Sequence, residues 1–264
     1  MTSDELGDLL SIAREAARLA GDVIMPLFEA GVAVELKADN TPVTEADRRA
    51  EAVIREFLER ECPDHGVLGE ETGETVGAGR YRWVVDPVDG TKSFIHRVPL
   101  FGTLVALERD GEPVVGVIAC HAAGETVYAA TGMGAFVDGV EVEVSMTQSL
   151  SESTVCMTSP AGMLKRYTAA FSELCSHAGL VRSWGDCYGY LMVATGRADV
   201  MLDPIVNYWD VAALHPVISE AGGRLTRWTG ETELGETSVA TNGILHNEVL
   251  TLLGEHLVGE KSDP

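Results

Sequence analysis

The sequence predicts an α+β protein of two halves: an α+β half over residues 1–145 and an α/β half over residues 146–264. Three observations lead there. Two segments with a 3.6-residue apolar period open the chain, short strand-like segments with hairpin turns follow, and after Val144 strands and helices alternate. In the first segment Leu6, Leu9, Leu10, Ala13, Ala16, Ala17, Ala20, Ile24 and Leu27 fall on one helical face, and Thr2 with Glu5 has the spacing of a capping box. A second helix is expected from Thr44, with Asp47 three residues on and Ala50, Val53, Ile54, Phe57 and Leu58 as its buried stripe; Pro63 ends it. Strands are expected at 67–70, 81–86, 101–108, 114–120, 126–130 and 135–137, with hairpin turns at Asp110-Gly111 and Asp138-Gly139. Beyond Val144 the expected order is a strand at 154–158, a helix at 164–178, a strand at 180–184, a helix at 187–195 and a strand at 200–202. A helix at 210–221, strands at 224–228 and 238–241 and a closing helix after Leu245 complete it. No flexible linker separates the halves, so they are expected to share an interface with a ligand cleft between them.

The 264 residues are 45% hydrophobic and 23% charged, the composition of a folded chain. Forty-one acids against 19 Lys and Arg give a net charge of −22, which argues against a nucleic-acid or anionic-membrane binder. Any anionic ligand must be held by a local device. The N-terminus carries acids where a secretion signal would carry Lys or Arg, and no run of about 18 apolar residues occurs, so neither a leader nor a membrane span is expected. The five cysteines are far apart and never spaced C-x-x-C, which argues against a disulfide framework or a structural zinc site. A cytoplasmic protein fits these features.

The most informative stretch is Asp86-Pro-Val-Asp89-Gly90-Thr91-Lys92-Ser93 behind the apolar Trp83-Val-Val. The strand delivers Asp86 at its end, Pro87 stops it from continuing as a paired central strand, and Gly90-Thr91 opens a short helix. Two carboxylates crowd one turn, and like charges that close need a cation between them; Mg²⁺ takes carboxylate, carbonyl and water oxygens. An ordinary turn capped by Asp86 explains the same stretch about as well. Glu70 stands at another strand end. Asp210 opens a helix and serves equally as a first-turn acid on the helix dipole, and Asp47 serves equally as the third residue of a capping box. The scattered histidines show no helical His-x-x-x-His pair, which argues against zinc, and Cys187 has no His partner and reads as a packed residue.

Taken in order, Thr41-Pro-Val-Thr44-Glu-Ala-Asp47, Gly69-Glu70-Glu71, Asp86-Pro-Val-Asp89-Gly90-Thr91, and Trp209-Asp210 followed by Glu220-Ala-Gly-Gly223 resemble the motifs of the inositol monophosphatase superfamily over nearly the whole chain. The resemblance implies a layered α/β/α/β/α sandwich, a homodimer and a Mg²⁺-dependent phosphatase of small phosphorylated substrates using two or three ions. It implies that Glu70, Asp86 and the Val88 carbonyl hold one metal, that Asp86, Asp89 and Asp210 hold a second, and that a weaker third leans on Glu70. It further implies that Thr91, hydrogen-bonded to Asp47, orients and deprotonates the attacking water together with Glu70. Gly90, Thr91 and Lys92 would offer backbone N–H groups to the phosphate, with Asp210 also facing the substrate. Lys37 resembles a family lysine near the metal loop; a solvated lysine at a strand end is the plainer alternative.

Trp184-Gly-Asp186-Cys-Tyr188, the later Asp203-Pro204, and Lys92-Ser93 after Asp-Gly-Thr resemble the branch of the family acting on histidinol phosphate. Asp186 and Asp203 suit a leaving group with an ammonium, and Tyr188 or Tyr208 suits a flat imidazole; a capping Asp186 and core tyrosines are the plainer alternative. Inositol monophosphate, fructose bisphosphate and adenosine bisphosphate are the competing substrates. A degenerate member acting as a metal-binding regulatory dimer would lack part of the carboxylate set, which is complete here.

Overall fold

The computed structural model describes residues 3–37 and 41–257; the expected Thr2–Glu5 capping box lies outside them. In chain order the first half is α1 (Ser3–Ala30), β1 (Val34–Leu36), β2 (Pro42–Thr44), α2 (Glu45–Glu61), β3 (Gly66–Gly69), β4 (Gly73–Thr75), β5 (Tyr81–Asp89), α3 (Thr91–Ile95), β6 (Gly102–Arg109), β7 (Glu112–Cys120), β8 (Glu125–Ala130), β9 (Ala135–Val137) and β10 (Val140–Val142). The second is β11 (Thr154–Met157), α4 (Pro160–Arg166), α5 (Thr168–His177), β12 (Leu180–Arg182), α6 (Asp186–Ala194), β13 (Val200–Val206), α7 (Tyr208–Ala212), α8 (Leu214–Glu220), β14 (Arg224–Thr226), β15 (Glu236–Thr241) and α9 (His246–Leu257).

Side-chain alternation on the strands decides the layering. Trp83 and Val85 of β5 face α1 and α2, while Val84 between them faces α6 and α8. An eight-stranded sheet in the order β10-β9-β8-β7-β6-β5-β3-β4 is therefore covered on both faces, antiparallel except for the β3–β5 pair. The five-stranded sheet β12-β11-β13-β15-β14 turns Cys156, Met201 and Ala240 toward α6 and α8, and Val155, Val200, Leu202 and Val239 toward α5 and α9. The result is the α/β/α/β/α sandwich expected from the resemblance. Asp110-Gly111 and Asp138-Gly139 each close a hairpin with both φ values positive, 56° and 85°, then 51° and 80°, as a type I′ turn requires.

Three local expectations are corrected. The helix expected at 164–178 starts earlier, on Ser159 whose hydroxyl accepts from Gly162 N–H, and breaks at Tyr167, whose ring packs 4.7 Å from that of Trp228. The helix expected at 210–221 starts at Tyr208 and divides at Ala213, because Pro216 has no N–H to return to the Ala212 carbonyl. Pro87 does not end its strand. β5 runs on to Asp89 through a bulge in which the pairing jumps from Asp86↔Leu104 to Asp89↔Gly102.

His246 ties the five-stranded sheet to α9. It is fully buried; Thr226 donates its hydroxyl proton to the Arg227 carbonyl and so accepts from Nε2–H at 3.0 Å, while Nδ1 accepts from Thr241 at 3.0 Å. The neutral ring is satisfied on both sides, and burial with Arg224 nearby pushes its pKa down to about 4 from 6.5. The unfolded chain thus binds a proton that the folded one refuses, so the contribution is complete above about 6.5 and lost as pH falls toward about 4. His246→Gln should lower the melting temperature at pH 7.5 and flatten its decline between pH 7 and 4.5; an unchanged acid slope would contradict this assignment.

Candidate active site

A cavity of about 450 Å³ opens where the C-terminal ends of β3 and β5 meet the starts of α3, α6 and α7. Asp86, Asp89 and Asp210 each point an oxygen into it, all within 4.8 Å of one another. Asp86 and Asp89 come from either side of the β5 bulge, and Asp210 comes from the first turn of α7, where it also completes a capping box with Asn207. Each acid is anchored by a backbone N–H: Val88 to Asp86 at 3.1 Å, Cys187 to Asp89, and Asn207 to Asp210 at 2.7 Å. Burial, then the neighbouring carboxylates, hold Asp86 and Asp89 well above the usual carboxylate range; burial, partly offset by the Asn207 N–H, pushes Asp210 up to about 6. An oxygen-only donor set under that repulsion suits a hard divalent cation.

Glu70 lines the same cavity, its carboxylate 2.7 Å from Lys37 Nζ, which also reaches Glu71 at 2.6 Å. The turn carrying Glu70 is built from beneath. Glu51 on α2 is fully buried and accepts from Glu71 N–H at 2.7 Å, from Thr72 N–H at 3.0 Å and from Arg55 at 2.9 Å. Gly69 lets that carboxylate approach, since a Cβ there would lie 2.4 Å from Glu51 Oε1. Thr91 Oγ1 lies 3.1 Å from the Val88 carbonyl and 3.5 Å from Asp47 Oδ1, the outer limit of a hydrogen bond. Asp47 spends its other oxygen on the Thr44 N–H and hydroxyl, so the capping box and the contact with Thr91 coexist, and burial raises its pKa. Gly90 has φ 83°, and a Cβ there would meet Leu100 O at 2.9 Å and Asp186 Oδ2 at 3.2 Å, so conformation and space both require glycine.

Asp186 starts α6 with φ 51°, a left-handed conformation that Asp tolerates better than most residues. Its N–H donates to Thr158 Oγ1 at 2.8 Å and its carboxylate lines the main cavity, where burial pushes it up to about 6 against the opposing pull of Lys92.

The sequence profile of the inositol monophosphatase family matches residues 5–259. The chain belongs to the inositol monophosphatase family. It is 42% identical over 249 residues to the histidinol-phosphatase of Chlorobaculum parvum, covering 93% of this chain and 96% of that one. It is also 42% identical over 255 residues to the histidinol-phosphatase of Mycobacterium tuberculosis, covering 93% and 98%. Among solved structures the extragenic suppressor protein suhB from Bartonella henselae superposes with a TM-score of 0.88 at 28% identity, covering 93% of this chain and 98% of that one. This family member is accordingly a phosphoric monoester hydrolase.

Its substrate end differs from the expectation in two ways. Tyr208 turns away from the cavity, donating to Glu108 beside the Arg82 guanidinium, and Tyr188 packs near Arg197; neither lines the cavity. The aromatic in the wall is Trp209, whose buried Nε1 has no hydrogen-bond partner. Because α7 starts at Tyr208 and not at Asp210, a turn of about 100° per residue sets Tyr208 and Asp210 on opposite sides of it. Asp203 lies in a smaller recess of about 60 Å³ that Asp186 also lines; it accepts from Tyr190 at 2.9 Å, and burial pushes it up to about 8.

Asp89→Asn keeps the side-chain shape and the acceptor for Cys187 N–H while removing one buried charge. In chelator the variant should melt a few degrees above wild type, since relief of about 1 kcal/mol corresponds to roughly 2–4 °C in a chain of this size. Added Mg²⁺ should then raise the wild-type melting temperature far more than the variant's. A variant that melts lower in chelator would show that the cluster carries no net repulsion.

Proposed function

We propose that the protein hydrolyses L-histidinol phosphate to L-histidinol and phosphate with Mg²⁺ as its metal. The observation carrying this reading is that one cavity holds a crowded carboxylate set, Asp86, Asp89 and Asp210 with Glu70, and beside Asp89, at the start of α6, a further acid, Asp186, that is outside that set. The set suits cations that neutralise a phosphate; the adjacent Asp186 suits the positive ammonium of the alcohol to which that phosphate is attached. The names of relatives 42% identical over nearly full length support the same substrate.

Glu70, Asp86, Asp89, Asp210 and the Val88 carbonyl would hold the metal. When bound, Mg²⁺ supplies positive charge to the phosphoryl oxygens and the departing alkoxide and makes water more acidic. The chain's own residues do the rest. Thr91 Oγ1 and the Glu70 carboxylate orient the attacking water, and Asp47 Oδ1 takes its proton through Thr91 Oγ1. The N–H groups of Gly90 and Thr91 at the start of α3 would face the phosphate. Asp186 binds the ammonium, with Asp203 behind it and Trp209 as the flat surface for the imidazole. The water oxygen bonds to phosphorus as the P–O bond to the alcohol breaks; the alkoxide takes a proton from solvent and Asp47 returns its own there, so one water is consumed and the alcohol and hydrogen phosphate leave.

Phosphate release from histidinol phosphate, inositol 1-phosphate and fructose 1,6-bisphosphate tests the assignment; equal or faster hydrolysis of inositol 1-phosphate by wild type would overturn it. Asp186→Asn should lower kcat/KM for histidinol phosphate by about ten- to a hundred-fold, the worth of a desolvated charged hydrogen bond, and leave glycerol phosphate nearly unchanged. Equal losses on both would remove the ammonium contact. Thr91→Ala should lower kcat by more than it raises KM; an effect on KM alone would make Thr91 a phosphate clamp.

A further inference from the structure

We propose that Thr103 and His121, which lie outside the cavity lining, are positioning residues for the Asp86–Asp89 loop and set its affinity for metal; the proposal rests on the metal-dependent reading above. Because the pairing jumps from Asp86↔Leu104 to Asp89↔Gly102, Thr103 on β6 faces two residues, Pro87 and Val88. Pro87 has no N–H to give the ladder, and its carbonyl is taken instead by the fully buried Thr103 Oγ1 at 2.8 Å. Having donated its single proton, that hydroxyl can only accept, and it accepts from His121 Nε2 at 2.9 Å, which fixes the Nε2–H tautomer. His121 follows β7 in a short 3-10 turn, His121–Ala123, and its ring fills a space that α1 leaves free: a Cβ on Gly21 would lie 2.5 Å from His121 Nδ1.

The Pro87 carbonyl and the Val88 N–H belong to one peptide plane. Its carbonyl end is held by Thr103, and its N–H end donates to Asp86 Oδ1 at 3.1 Å. The plane that aims the Asp86 carboxylate is therefore fixed by a chain running His121, Thr103, Pro87, from the α1 side of the sheet. Groups that orient ligands in this way commonly contribute ten- to a hundred-fold to metal affinity.

The test is Mn²⁺ binding to the metal-free enzyme, followed by electron paramagnetic resonance and calorimetry, with melting temperature measured alongside. Thr103→Val should weaken Mn²⁺ binding roughly ten-fold. Thr103→Ser should restore most of it. His121→Phe should weaken binding by about three-fold and add nothing to Thr103→Val, because the two act in series. If Thr103→Val does not fold, His121→Phe against His121→Gln, which retains a donor, decides the matter alone. Mn²⁺ affinity within about two-fold of wild type in His121→Phe overturns the relay even if stability falls. A wild-type enzyme that binds no Mn²⁺ overturns the metal reading itself.

Discussion

The structure turns on the confinement of like charge. Three carboxylates within 4.8 Å, one buried and two half-buried, oppose folding unless something offsets them, since a buried charge without a partner costs several kcal/mol. The chain answers with backbone N–H groups, each from a different local device: a strand bulge for Asp86, a helix start for Asp89, a capping box for Asp210. Lys37 performs the corresponding task for Glu70 and Glu71. These partners hold the acids in place without neutralising them, and that leaves the cluster biased toward a cation. With an overall charge of −22, the protein's long-range field repels a phosphate monoester, so attraction has to come from this one spot.

Orientation depends on residues that make no contact with the cavity. Glu51 shapes the turn under Glu70 from a helix face that would otherwise read as surface, and Thr103 and His121 reach the Asp86–Asp89 loop through the Pro87 carbonyl. Buried polar chains of this type are rigid only when every member is satisfied. Here the Thr103 hydroxyl and His121 Nε2 have one consistent assignment.

The layered fold was legible because its signals are local: the 3.6 period of α1 and α2, the two Asp-Gly hairpins, and the change to alternating strands and helices after Val144. The carboxylates were legible as motifs. What escaped depends on distance in sequence. Glu51 sits among polar helix residues, and its burial comes from donors twenty residues away. The break at Tyr167 follows from its contact with Trp228, and the β1–β2 pair is three residues per strand with β1 exposed, too short for alternation to register. Tyr208 and Tyr188 suit an imidazole by residue type alone, and that Trp209 lines the cavity in their place follows from the start of α7 two residues before the expected one.

Asp210 follows Asp89 by more than a hundred residues, yet the cluster needs both. On the ribosome the chain therefore presents its first acids long before the last one exists. A cation held by the whole set binds the finished fold and not its precursors, so its binding energy adds to native stability by mass action. Under the proposed metal reading, cation supply then governs how much of the newly made protein stays folded.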